Sequence, residues 1–124
     1  MMEIQVKMLK AKLHHATVTQ SDLHYEGSIG IDSELLQSAG ILPNEAVHVW
    51  NVNTGHRWET YAIPMPPGSA EIQVNGAAAR LAQVGDVLII ATFAWMAEST
   101  AKQHSTRVIQ LNGTNNAVLA NSSV

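Results

Sequence analysis

Between Met8 and Val18 apolar and polar residues alternate in part, with Leu9, Ala11 and Leu13 on one side and Lys10, Lys12 and His14 on the other. A period of two belongs to a strand with one face against a core, so a strand is expected with Lys12 pointing away from the apolar row. The spacing changes at Asp32, which can cap a short helix through Ser33, Glu34, Leu35, Leu36 and Ala39, and Gly40 supplies its stop. Leu42-Pro43-Asn44-Glu45 reads as a turn. A strand over Ala46 to Val52 then meets Asn53-Thr54-Gly55 and returns through His56 to Ile63, a hairpin with β-branched and aromatic flanks. On the return strand Arg57 and Tyr61 are an even number of residues apart and share a face, while Thr60 faces the other way unless the strand twists or bulges.

Pro64-Met65-Pro66-Pro67-Gly68-Ser69 is expected to be a loop, because its prolines remove donors from any ladder. A strand over Ala70 to Val74 leads into a short helix from Gly76 to Gln83, and Val84-Gly85-Asp86 forms a turn. Val87 to Phe93 is a continuous apolar run, the signature of a strand buried on both sides. Beyond Met96 the chain becomes polar. Arg107 to Leu111 suits one more strand, and the Asn- and Ser-rich stretch from Asn112 to Val124 is expected to be a mobile tail. The pattern therefore divides the chain into a barrel domain at 1–96 and a polar extension at 97–124, and many short strands with two small helices indicate a compact β-barrel.

Composition narrows the classes of function. A chain of 124 residues makes one domain and can bury a core without staples. Its formal charge of −3, with seven Lys and Arg scattered among ten Asp and Glu, offers no basic field for nucleic acid. With no cysteine there is no disulfide framework and no thiolate metal site, which fits a reducing cytoplasm. No signal-peptide pattern is expected, since Glu3, Lys7, Lys10 and Lys12 interrupt the first residues. The apolar run Val87 to Met96 is about half the length that spans a bilayer.

Chemistry concentrates in a few segments: Lys10-Ala11-Lys12-Leu13-His14, Asp22-Leu23-His24-Tyr25-Glu26-Gly27-Ser28, Trp50-Asn51-Val52, Arg57-Trp58-Glu59-Thr60-Tyr61 and Asn75-Gly76-Ala77-Ala78-Ala79. In this order, from about Met8 to Met96, they resemble the bacterial aspartate 1-decarboxylase family, the pyruvoyl-dependent enzymes that make β-alanine. The resemblance implies a double-psi β-barrel that cuts its own backbone between Gly27 and Ser28. It also implies decarboxylation of L-aspartate to β-alanine and carbon dioxide for pantothenate and coenzyme A synthesis. Further implications are a homotetramer with sites between neighbouring subunits and, in some relatives, an accessory protein that stimulates maturation.

The residue types suit that chemistry. A planar peptide yields only to a nucleophile held against its carbonyl, and the Ser28 hydroxyl is one. Its oxygen attacks the Gly27 carbonyl carbon, the C–N bond breaks as the ester forms, and β-elimination then frees the Gly27 carboxylate and leaves dehydroalanine. Water converts that residue to a pyruvoyl group and ammonia. Gly27 suits the attack because a residue without Cβ tolerates strain and close approach. The ketone supplies an electron sink that ordinary side chains lack, condensing with an amino acid as a bound cofactor would. Aspartate carries two carboxylates, for which Lys12 and Arg57 are the cationic candidates, one a mobile point charge and the other a planar fork. By resemblance Tyr61 is the proton donor to Cα, Thr60 contacts substrate and assists processing, and the Gly76-Ala77-Ala78 backbone binds substrate. Free N–H groups opening a helix would favour an anion there. Asn75 precedes that segment and is expected either to cap it or to touch the substrate.

Each residue also has a plainer reading. Gly-Ser pairs occur in many turns, and a lone Arg57, Lys12 or Tyr61 is ordinarily a solvated or packing residue. Their joint occurrence in the family's order is what raises them. His14 and His15 are adjacent, are expected on opposite faces of a strand, and so make no metal site. His14 matches a family position near the processing site, which leaves an orienting role and an ordinary hydrogen-bonded histidine both open. Trp50 and Trp58 read as core or subunit-interface residues. Two departures stand out: Gly30 where the family usually has Thr or Ala, and Met65-Pro66-Pro67 where it has a more charged loop. Gly30 is expected to loosen the segment after the cleavage point. The alternatives are a pyruvoyl decarboxylase of another acidic amino acid and an uncleaved barrel that serves as a binding or assembly module.

Overall fold

The computed structural model describes residues 3–124. Alternation at the start of the chain produces β1 (Gln5–Thr17), whose inward Ala11 and Leu13 are fully buried while Lys12 and His14 are half-exposed. The remaining strands are β2 (Gln20–Asp22), β3 (Ser28–Asp32), β4 (Ala46–Asn51), β5 (Arg57–Met65), β6 (Ile72–Asn75), β7 (Val87–Ala97), β8 (Arg107–Leu111) and β9 (Val118–Ser123). They pair in the order β2-β6-β3-β5-β4-β7-β1-β8-β9. Parallel pairs β2·β6, β3·β5 and β1·β8 are interleaved with antiparallel ones, so strands distant in sequence lie side by side. The architecture is mainly β, a double-psi β-barrel with short helices. Its core is aliphatic: Leu13, Ile29, Ile31, Val47, Val49, Ile72, Val74, Leu88, Ile90 and Ile109 are all within 1 % of full burial.

Helix α1 (Ser33–Ala39) begins and ends as its sequence dictates. Asp32 Oδ1 accepts from the Glu34 amide at 2.9 Å, and Gly40 closes the helix in the left-handed conformation at φ 72°. The same buried carboxylate accepts from the amides of Gly68 and Ala70, tying the proline loop to the end of β3. A second helix, α2 (Glu98–Ala101), follows β7.

Three expectations change. Pro64 and Met65 belong to β5 rather than to a loop. By that point β5 pairs with β3 and has left β4, so a missing donor on the free edge costs nothing. The helix expected over 76–83 is a 3-10 turn of five residues, Gly76–Arg80. The stretch 112–124 is not a free tail, because β9 pairs antiparallel with β8. Its anchor is Asn116, 5 % exposed, whose Oδ1 accepts from the Thr17 amide at 2.6 Å and whose Nδ2 donates to the carbonyls of Thr17 and Ala70. One polar side chain thus seals the hairpin onto the barrel, which a reading of polar composition overlooks. Strand β3 is not foreseen from the sequence, and it lacks any alternation because all five of its residues are buried between β5 and β6.

Candidate active site

Ser28 opens β3 and pairs with Asn75, the last residue of β6. Both side chains are buried, at 2 % and 1 % exposure, and Asn75 Nδ2 donates to Ser28 Oγ at 3.0 Å. Asn75 therefore serves Ser28 and does not cap the following turn. Its Oδ1 is buried with no partner, leaving an unspent acceptor beside the hydroxyl. The next residue, Gly76, has φ 73°, and a Cβ built on it would stand 2.9 Å from Gly27 Cα and 3.2 Å from the Tyr25 carbonyl oxygen. Backbone presses on backbone at the proposed cleavage point. Gly27 itself has no positive φ, and a Cβ there would meet nothing within 4 Å. In the intact chain the close backbone contact that excludes a Cβ is thus at Gly76.

Strand β5 brings up the other half of the site. Its first registered pair with β3 is Ala62 opposite Ile29, so Tyr61 and Thr60 come just before Ala62 where Ser28 and Gly27 come just before Ile29. Arg57, Glu59 and Tyr61 are exposed, whereas Trp58 and Thr60 are half-buried and Ala62 is fully buried, so Arg57 and Tyr61 do share the outer face. That face continues in register across the sheet. One row runs Arg57, Trp50, Ile89, His14 and Gln110; the next runs Glu59, His48, Ala91, Lys12 and Val108. Lys12, His14, Arg57 and Tyr61 therefore stand on one surface.

Local contacts hold this surface in shape. The Arg57 guanidinium lies over the Trp50 ring at 4.6 Å from its centroid, a cation–π contact that turns it toward β4 and away from β3. His48 Nε2 pairs with Glu59 Oε2 at 3.0 Å and stands edge-on to Phe93. Together Lys7, His48, Trp50, Arg57, Trp58, Glu59 and Phe93 line an open pocket of about 510 Å³. Trp50 is thus a platform for Arg57 in addition to any packing role, and Trp58 packs against the core.

The two histidines do not point to opposite faces. A bulge between His14 and Ala16 puts His15 at φ 66°, and the two rings stack with centroids 3.9 Å apart and planes 22° from parallel. Burial first, and then the neighbouring His15 and Lys12, hold the His14 imidazole below its ordinary range. Its Nδ1 is buried with no partner. A neutral ring at this position can orient or relay a proton.

The two family departures also meet. A Cβ on Gly30 would lie 2.6 Å from Met65 Sδ and 2.9 Å from Met65 Cγ, so the methionine side chain fills the space that the missing methyl leaves. Gly30 is buried and filled in, not loosened.

A buried seam holds the Ser28 hydroxyl, an outer face of the same sheet carries the cations and the phenol, and sequence comparison places the chain among the carboxy-lyases. The family model described as aspartate decarboxylase matches residues 4–118. The chain belongs to the aspartate decarboxylase family. It is 53 % identical over 115 residues to the aspartate 1-decarboxylase of Maricaulis maris, covering 93 % of this chain and 95 % of that one. It is 57 % identical over 106 residues to that of Hyphomonas neptunium, covering 86 % and 90 %. Among the described residues no helix is long and apolar enough to cross a membrane.

Proposed function

We propose that this chain cuts itself between Gly27 and Ser28 and then, as a pyruvoyl-dependent cytoplasmic enzyme, converts L-aspartate to β-alanine and carbon dioxide for pantothenate synthesis. The observation that carries the reading is the buried Asn75 Nδ2 to Ser28 Oγ hydrogen bond, made where Gly76 packs directly on Gly27. Once Oγ has left with the Gly27 carboxylate, the same amide stays beside residue 28, where water supplies the ketone oxygen. The pyruvoyl group supplies an electron sink for the carbanion left by carbon dioxide.

This chain's own residues do the rest. Asn75 Oδ1, unspent in the intact chain, suits the amino group of an arriving substrate. The backbone of Gly76, Ala77 and Ala78 lines the approach, although a five-residue turn lends it little dipole. Tyr61 carries the proton for Cα, Thr60 steadies the Gly27 carbonyl during scission, and His14 orients both steps. Lys12 and Arg57 bind the two carboxylates. Arg57 lies four residues, about 13 Å, along β5 from Tyr61, and Lys12 is three strands away from β5. Arg57 turns toward Trp50, and both cations stand on strand positions removed from Ser28 of their own chain, which supports a homotetramer whose neighbouring subunits complete each other's sites. An accessory protein that speeds maturation belongs to the same reading. Incubation of the cleaved protein with L-aspartate should yield β-alanine and carbon dioxide in equal amounts; a panel with glutamate and cysteine sulfinate checks the substrate. Cleaved protein that releases neither product contradicts the assignment.

A further inference from the structure

We infer that Gly76 is a positioning residue for the scission itself, acting by backbone contact with Gly27; this rests on the self-cleavage reading above. Two independent features single it out. Gly76 occupies the left-handed region at φ 73°, and a Cβ there would fall 2.9 Å from Gly27 Cα, 3.0 Å from Gly27 N and 3.2 Å from the Tyr25 carbonyl oxygen. All three neighbours are backbone atoms of the segment that must be cut, so none can swing aside as a flexible side chain would. Relief requires moving Gly27 by several tenths of an ångström, the scale on which attack geometry fails.

Gly27 is fixed from both ends. On one side Ser28 is registered against Asn75 in β6 and its hydroxyl is held by Asn75 Nδ2. On the other, the bare Cα of Gly76 lets the 25–27 backbone settle against the start of the 3-10 turn. Between these supports lies the Gly27–Ser28 peptide bond that the inferred attack must reach. As the C–O bond forms and the C–N bond breaks, the hydroxyl proton passes to the departing Ser28 nitrogen. The proposed substrate-binding stretch thus has an earlier task, before any substrate arrives, as the floor against which the 25–27 backbone is held for attack.

Gly40 provides the control, since it has nearly the same backbone, φ 72°, yet a Cβ there would meet nothing within 4 Å. Freshly purified wild-type, Gly40→Ala and Gly76→Ala proteins are incubated and sampled by intact mass under denaturing conditions, with circular dichroism reporting that each is folded. Gly40→Ala should cleave at the wild-type rate, and Gly76→Ala at least about tenfold more slowly. Synthetic protein with D-alanine at position 76 keeps the left-handed backbone and takes the methyl off the Gly27 side. It should recover scission relative to Gly76→Ala, and it replaces Gly76→Ala as the test should the latter not fold. Wild-type protein that never divides defeats the self-cleavage reading. Wild-type protein that divides while Gly76→Ala keeps pace with Gly40→Ala, or while the D-alanine protein stays as slow as an unfolded or stalled variant, defeats this inference alone.

Discussion

At the scale of single residues, chemistry was more legible than contact. Ser28, Tyr61, Lys12 and Arg57 can be named from the order of their segments, because reactive groups are carried by residue type. What each touches cannot, since Ser28 and Asn75 are 47 positions apart and meet only through the β3·β6 register. Stacking of His14 on His15 depends on a bulge that no alternation signals. Burial of His14, with His15 and Lys12 beside it, has a consequence for acid stability. The His14 pKa is lowered in the fold from an ordinary 6.5, so the unfolded chain takes up a proton first as pH falls. His14 therefore contributes stability that is present above pH 6.5 and is lost as pH falls through its folded value. Urea titrations of the intact chain between pH 7 and 5 should show a decline that His14→Gln lessens; an unchanged slope in the variant would contradict the assignment. Trp50 offers a second prediction. Trp50→Leu keeps an apolar residue but removes the ring beneath Arg57, a contact worth about 0.5–1 kcal/mol when exposed. The KM for aspartate should rise about two- to fivefold, with kcat much less affected, as steady-state kinetics will read.

Elements followed their patterns where one face is buried and escaped them where both are, or where a side chain from elsewhere decides. The β1 strand, α1 with its Asp32 cap and Gly40 stop, and the β4–β5 hairpin follow from spacing and turn chemistry. By contrast β3 is short and wholly buried, and β9 is exposed along its whole length, so neither shows a period. Asn116 explains why β9 exists at all. Asn116→Ala would strip the Thr17 amide and two carbonyls of their partner in a buried setting, at a cost of about 2–3 kcal/mol. Chemical denaturation should register that loss, and hydrogen exchange should show β8 and β9 opening first. Gly30 and Met65 make a second test between elements. Each single change, Gly30→Ala or Met65→Ala, should destabilise, one by overlap and the other by a void. The double variant should be more stable than their sum by about 1–2 kcal/mol, and simple additivity would mean that the methionine does not fill the glycine's space.

The whole molecule joins two arrangements that a sequence presents separately. One is a buried seam where β3 and β6 hold Ser28 against Asn75 and Gly76; the other is an outer sheet face carrying Lys12, His14, Arg57 and Tyr61. Strand β5 belongs to both, because it leaves β4 and joins β3 at Ala62, directly after Tyr61. That change of partner sets Tyr61 one residue before the β3·β5 ladder begins, and the proposed reaction draws on both surfaces. The account depends on the seam being reactive. Intact mass of aged wild-type protein under denaturing conditions tests this most directly. Two chains, 1–27 and 28–124, with the larger lighter by one ammonia than its sequence requires, are the expected result. A single undivided chain with its serine hydroxyl intact after prolonged gentle warming would contradict it.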